Sequence, residues 1–181
     1  MLDVSVAAHR YGFIGREFLT WLWYQIDQSG RELKACRNEA FTMEIGNRLV
    51  MENQRGEGQL ETVSIKGDEA GLEEAKLAAS KGSLVSEMNL IVHFNDLVWR
   101  FTIKAESMAI TGLRTPESAA VENEEDLEGA VLEKVYLYEQ IIELLESAFA
   151  AFIVLRTGDE WQGRIRGEIS RWIGSQIAAK R

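Results

Sequence analysis

The chain has 181 residues, 46% of them apolar, with a formal net charge of −9; it can bury one sizeable core, and its acidity argues against indiscriminate coating of DNA. A single cysteine, Cys36, excludes an intramolecular disulfide framework and fits a reducing cytoplasm. The opening MLDVSVAAHRYGF does not read as a secretory signal, and no apolar run approaches the roughly 18 residues of a membrane span, so a soluble intracellular protein is expected.

Residues 2–8 alternate Leu2, Val4 and Val6 with Asp3 and Ser5, the pattern of a short strand. The next stretch, GFIGREFLTWLWYQIDQ over 12–28, is the most apolar helical pattern in the chain. Ile14, Phe18, Trp21, Leu22 and Gln25 share one face, and Leu19, Trp23 and Ile26 share a second. Only Arg16, Thr20, Tyr24 and Asp27 are left for a polar seam. A helix apolar on most sides is buried on most sides, so this one is expected at the centre of the fold.

Strands follow. Phe41, Met43 and Ile45 alternate with Thr42 and Glu44, and Leu49 and Met51 resume the pattern after Gly46-Asn47-Arg48. A three-residue hairpin loop at 46–48 would face Ile45 with Leu49 and Met43 with Met51. Residues 53–58 read as a polar, glycine-rich loop, and 60–66 as a strand with Val63 and Ile65 facing in. Asp68 can cap a helix over 69–81 that buries Leu72, Ala75, Lys76 and Ala79 and stops at Gly82. The clearest β signal is next. A two-residue turn at Asn95-Asp96 pairs Phe94 with Leu97, Val92 with Trp99, Leu90 with Phe101 and Met88 with Ile103. The opposite face pairs Glu87 with Lys104 and Ile91 with Arg100. A slip of one residue would spoil both faces together. One more strand is expected over 108–113.

The only proline, Pro116, opens an acidic loop at about 115–128, an exposed, mobile connection. A long helix is expected over about 127–156. Val131, Val135, Tyr138, Ile142, Leu145, Phe149 and Phe152 step by four and three along it, a heptad seam that serves either core packing or a dimer. Between Glu117 and Glu146 ten acids face Lys134, a local balance equal to the whole net charge. Thr157-Gly158-Asp159 breaks the helix before a basic one at about 158–178, with Trp161, Ile165, Ile169, Trp172, Ile173 and Ile177 in one stripe. The fold class expected is α+β: one domain over 1–181, an antiparallel sheet packed against a buried apolar helix and two C-terminal helices.

Catalytic constellations are missing. His9 and His93 are the only imidazoles, and neither has a His, Cys or Asp at ligand spacing; His93 reads as a surface residue beside the hairpin turn. P-loop, GxGxxG and GxSxG motifs do not occur. Glu73-Glu74 and Glu124-Glu125-Asp126 stand where acids complement a helix N-terminus. The expectation is a protein that is not an enzyme, needs no cofactor or metal and takes no small-molecule substrate.

The stretch from Thr62 to Arg114 resembles the C-terminal half of the recombination-associated protein RdgC family. A strand enters the turn Lys66-Gly67-Asp68, a helix carries Glu73-Glu74 and ends near Gly82, and a tight hairpin and a short strand ending in a basic residue follow. Phe18-Leu19-Thr20-Trp21-Leu22 is similar to a Leu-Thr-x-Trp-type segment of that family, and 138–155 to its closing apolar helix. The likeness covers about 12–156; the basic helix lies beyond it. It implies a non-enzymatic protein that binds double-stranded DNA with little sequence preference as a homodimer, cytoplasmic and nucleoid-associated, with Lys66 at a basic position of the turn. Further donors consistent with such binding are Arg100 and Lys104 on the hairpin's outward face and Arg164 and Arg171 on the last helix. The alternative is an interaction or assembly module of the same fold that does not bind DNA.

Overall fold

The computed structural model describes residues 13–28, 32–34, 40–55, 59–67, 71–117 and 124–178. The elements are α1 (Phe13–Gln28), β1 (Glu32–Lys34), β2 (Ala40–Arg55), β3 (Gln59–Lys66), α2 (Gly71–Ser80), β4 (Leu84–Phe94), β5 (Leu97–Lys104), β6 (Ala109–Arg114), α3 (Glu124–Thr157) and α4 (Arg166–Ala178). A π-helical turn, Trp161–Ile165, leads into α4. The strand expected at 2–8, the cap at Asp68 and part of the 115–128 connection lie outside the described residues.

Six antiparallel strands form one sheet in the order β1-β2-β4-β5-β6, with β3 also on β2. The fold is α+β, as expected: inward side chains of the sheet share one core with α1, α2, α3 and α4. The β4–β5 hairpin has the expected register throughout. Asn95 and Asp96 hold the positive φ values, 49° and 63°, that a tight turn between twisted strands requires.

The hairpin expected at 46–48 is not there. β2 runs straight through as a 16-residue strand, and the three residues form a bulge against β4, where Ile45 pairs Leu90 and Leu49 pairs Met88. Ile45 and Leu49 share a face in either arrangement, so alternation could not separate the two. The glycine serves close approach instead of a turn: a Cβ on Gly46 would lie 2.0 Å from Asn89 Oδ1. A second bulge between Val50 and Met51 changes the phase of β4 and turns Val85 inward beside Met88.

Helix α1 sits at the centre, with Phe18, Leu19, Leu22 and Trp23 fully buried. Phe18 and Trp21 pack on Phe152 at ring distances of 5.5 Å each, and Trp23 meets Trp172 edge-on at 4.7 Å. Its polar seam is bonded outward to the surrounding elements. Arg16 pairs with Glu52 at 2.7 Å and Glu17 with Arg156 at 2.6 Å. Thr20 Oγ1 donates to the Arg16 carbonyl and accepts the Val85 amide. Asp27 accepts from Lys76 Nζ at 3.1 Å and from the Trp172 indole. Burial raises the Asp27 pKa, but the hydrogen bonds from Trp172 and Lys76 and the Lys76 charge outweigh it and hold the carboxyl below its ordinary 3.8. Gly15 lets α1 touch the turn after β5, where a Cβ would come within 2.0 Å of the Ala105 carbonyl oxygen.

Helix α3 begins at Glu124, earlier than expected, which places Glu124-Glu125-Asp126 in its first turn. The buried residues on it are Leu137, Ile141, Leu144, Leu145, Ala148 and Phe152. The heptad seam is thereby divided: Leu145 and Phe152 belong to the core, whereas Val131, Val135 and Ile142 are exposed. Gly158 stops the helix with its amide shared between the Val154 and Leu155 carbonyls.

Three outcomes follow for stability. Gly15→Ala is expected to destabilise by about 1–3 kcal/mol, since backbone must move away from backbone. Gly129→Ala, which meets nothing within 4 Å, is expected to stabilise by about 0.5–1 kcal/mol as a helix-interior change; urea melts compare the two. Asp27→Asn removes a charge held by two donors and is expected to cost about 1.5–3 kcal/mol at neutral pH. Because the folded pKa is depressed, that contribution is complete above the unfolded value and disappears as pH falls through the folded one. The gap between parent and variant is therefore expected at pH 7 and 5 and narrowed at pH 3.

Candidate nucleic-acid interface

The described helices all cover one face of the sheet, and none of them lies on the other. Strand alternation sends Thr102, Arg100 and Lys104 of β5 and Asn89, Ile91, His93 and Glu87 of β4 to the open face. Ladder pairing then arranges these side chains in rows. One row runs from Lys66 on β3 to its ladder partner Arg48 on β2, which lies in the bulge against β4 and reaches Glu87 through an ion pair at 3.1 Å, and from Glu87 to its ladder partner Lys104 on β5. A second sets Arg114 of β6 directly opposite Arg100, whose other neighbour is Ile91. Between them lie Thr111, Thr102 and Asn89; the Asn89 amide donates to the Phe101 carbonyl and Thr102 Oγ1 at 3.0 Å each. Arg100 and Lys104 are four residues apart on one strand, about 13 Å, and four strand intervals from β3 to β6 span about 19 Å.

Lys66, Arg100, Lys104 and Arg114 are exposed and make no ion pair among the described residues. Glu87, which stands opposite Lys104, is held by Arg48, so the expected local neutralisation of Lys104 goes to another cation. Two guanidinium groups directly across a ladder repel and cost stability. Arg114 had no place among the sequence-derived donors because its partner strand was not fixed; the signal was a basic residue closing a strand that must pair with β5.

Arg164 and Arg171 belong elsewhere. They lie in the helical layer with α4, away from the open face. Arg164 donates to Glu160 at 3.0 Å and to Glu168 at 3.1 Å, and these hydrogen bonds raise its pKa further above the ordinary value. Glu168 also meets the Tyr24 hydroxyl at 3.5 Å; burial, together with the Glu168 charge, pushes that phenol's pKa up. A guanidinium whose charge is matched by two carboxylates brackets the start of α4 and is a weaker draw for phosphate than an unpaired one. Arg171 Nε donates to the Gly167 carbonyl at 3.3 Å. The five sequence-derived donors thus divide into three on the sheet and two on the helices.

At the end of the sheet His93, half-buried and 4.0 Å from Glu44, lines a shallow cleft of about 390 Å³ with Phe41, Thr42, Phe94, Asn95, Asp96 and Val98. No group of three or more His, Cys, Asp or Glu residues among those described could hold a metal ion, and no described helix is long and apolar enough to cross a membrane. No Phe, Tyr or Trp among the described residues faces out from the open sheet. Acid is concentrated on α3, in the helical layer behind the sheet, where the basic α4 also lies.

No family model, curated protein or solved structure matches the chain.

If Arg100 and Arg114 repel as their register requires, Arg114→Thr is expected to leave stability unchanged or raise it by about 0.2–1 kcal/mol. Arg156→Ala, which breaks the ion pair to Glu17 and uncovers the Trp161 ring 5.2 Å away, is expected to lower it. Paired denaturation curves at low salt make the comparison.

Proposed function

We propose that this protein is a non-catalytic DNA-binding protein that rests the open face of its sheet on duplex phosphates without reading sequence. The observation that carries this is the Arg100–Arg114 pair, two exposed arginines set directly opposite each other on the ladder with no ion-pair partner among the described residues, an arrangement of like charges that costs stability. Lys104 and Lys66 extend the same face. Phosphate contacts fix position and supply affinity but carry no base information. The absence of outward aromatic rings among the described strands gives single-stranded bases nothing to stack on, which favours duplex. Charge orients the encounter, since a polyanion is drawn to the sheet and repelled by α3. The resemblance to the RdgC family points the same way and adds a homodimer, which would present the face twice to one duplex; light scattering reports the mass.

Duplex affinity is expected to fall steeply with salt, equally for unrelated sequences. In the Arg100→Ala, Lys104→Ala, Arg114→Ala variant the salt slope is expected to drop by up to about three units, one per lost phosphate contact, while Arg164→Ala leaves it unchanged. An unchanged slope in the triple variant would move the interface off the sheet. A parent that binds no duplex at low salt would overturn the DNA reading and leave the assembly module, which the exposed apolar residues of α3 favour.

A further inference from the structure

Apolar surface is not scattered over this molecule. Of the ten large hydrophobic residues that stand exposed among the described residues, six lie on one stretch of α3: Leu127 at 54%, Val131 at 53%, Leu132 at 63%, Val135 at 46%, Tyr136 at 57% and Ile142 at 43%. The cause is geometric. The first α3 residue buried in the core is Leu137, whose carbonyl accepts the Trp99 indole at 3.0 Å. The 13 residues from 124 to 136, about 20 Å of helix, therefore project beyond the layer that buries the rest. The seam that joins the core at Leu145 and Phe152 continues outward through Ile142, Val135 and Val131, with no described element covering it. Contiguous exposed apolar surface of this kind marks an interaction site.

Charge identifies the occupant. On the helical wheel Leu127, Val131, Val135 and Ile142 form one stripe, Leu132 and Tyr136 a second, and Glu128 and Glu139 fall between them. Glu133 is exposed on the same arm, and Lys134 is the one cation among described residues 124–146. A second copy would bring the same acids against these, as would an anionic lipid surface. We infer that this arm of α3 docks a basic amphipathic helix of a partner protein, with apolar side chains at heptad spacing on the two stripes and Lys or Arg facing Glu128 and Glu139. Helix-in-groove recognition uses such i, i+4, i+7 anchors. The site is separate from the sheet face and does not depend on DNA binding.

The probe is an 18-residue peptide with Leu at heptad a and d positions and Lys at the flanking ones. Its controls are a scrambled peptide of the same composition and a version with Glu in place of Lys. Calorimetry is expected to give micromolar binding of the Leu/Lys peptide, weakened at least tenfold by Val131→Ser with Val135→Ser and equally by Glu128→Lys with Glu139→Lys. The substituted side chains are exposed, and circular dichroism checks that α3 persists. Arg100→Ala is expected to leave peptide binding unchanged. Failure of the parent to bind, or equal binding of the scrambled peptide, would overturn the proposal. So would a dimer dissolved by the serine pair, which assigns the arm to a second copy, or uptake onto phosphatidylserine vesicles lost in that pair, which assigns it to a membrane.

Discussion

Everything in this fold depends on how α1 satisfies its surroundings. Burying Phe18, Trp21 and Trp23 removes roughly 150–250 Å² each from water, an upper limit of about 4–6 kcal/mol per ring at 25 cal/mol/Å². That burial is non-directional and would tolerate several orientations of the helix. The polar seam does not. Arg16 reaches β2, Thr20 takes an amide at the start of β4, Glu17 holds the end of α3, and Asp27 ties α2 and α4 together. Each such bond contributes about 1 kcal/mol, less than one ring. An unpartnered polar group in the same place would cost more than the bond contributes, so a rotated helix loses both. Burial supplies the stability and the seam selects the arrangement.

Having every described helix on one side of the sheet has a direct electrostatic consequence. Apolar side chains of β2, β4 and β5 are drawn to the covered face, so the charged ones collect on the other. Pairing then sorts them: Arg48 takes Glu87, and Lys66, Arg100, Lys104 and Arg114 make no ion pair among the described residues. A chain that is acidic overall can therefore carry a basic surface. The proposed DNA contact rests on that separation, which net charge conceals.

Helix α3 shows the same logic along one element. Its C-terminal half is core because α1 and the π-helical turn at Trp161 lie against it, with Phe152 5.6 Å from the Trp161 ring. Its N-terminal part carries equally apolar residues, yet no described element covers them. Side-chain chemistry is continuous along the seam; the environment changes between Ile142, which is exposed, and Leu145, which is buried. A projecting helix with bulky residues on two stripes is poorly stabilised by itself, since helical stability in proteins comes mostly from packing.

The sequence by itself determined the fold class, the central place of α1, the β4–β5 register, the inward side chains of β3 and the stop at Gly82. In each case a local rule had one physical solution: a helix apolar on most sides must be enclosed, and only one hairpin register keeps two faces consistent. Tertiary structure decided the rest. Whether Gly46 turned or bulged depended on Asn89, more than forty residues away, because a period of two is the same in both. Which part of the heptad seam is core depended on where the sheet ends. Lys66, Arg100 and Lys104 could be placed outward from alternation, but their alignment with Arg114, and the diversion of Glu87 to Arg48, needed strand order. The assignment of Arg164 and Arg171 as donors failed to anticipate that Glu160 and Glu168 bracket one of them and that α4 docks on the covered side. Local patterns specify what a residue prefers; partners distant in sequence decide whether that preference is already satisfied.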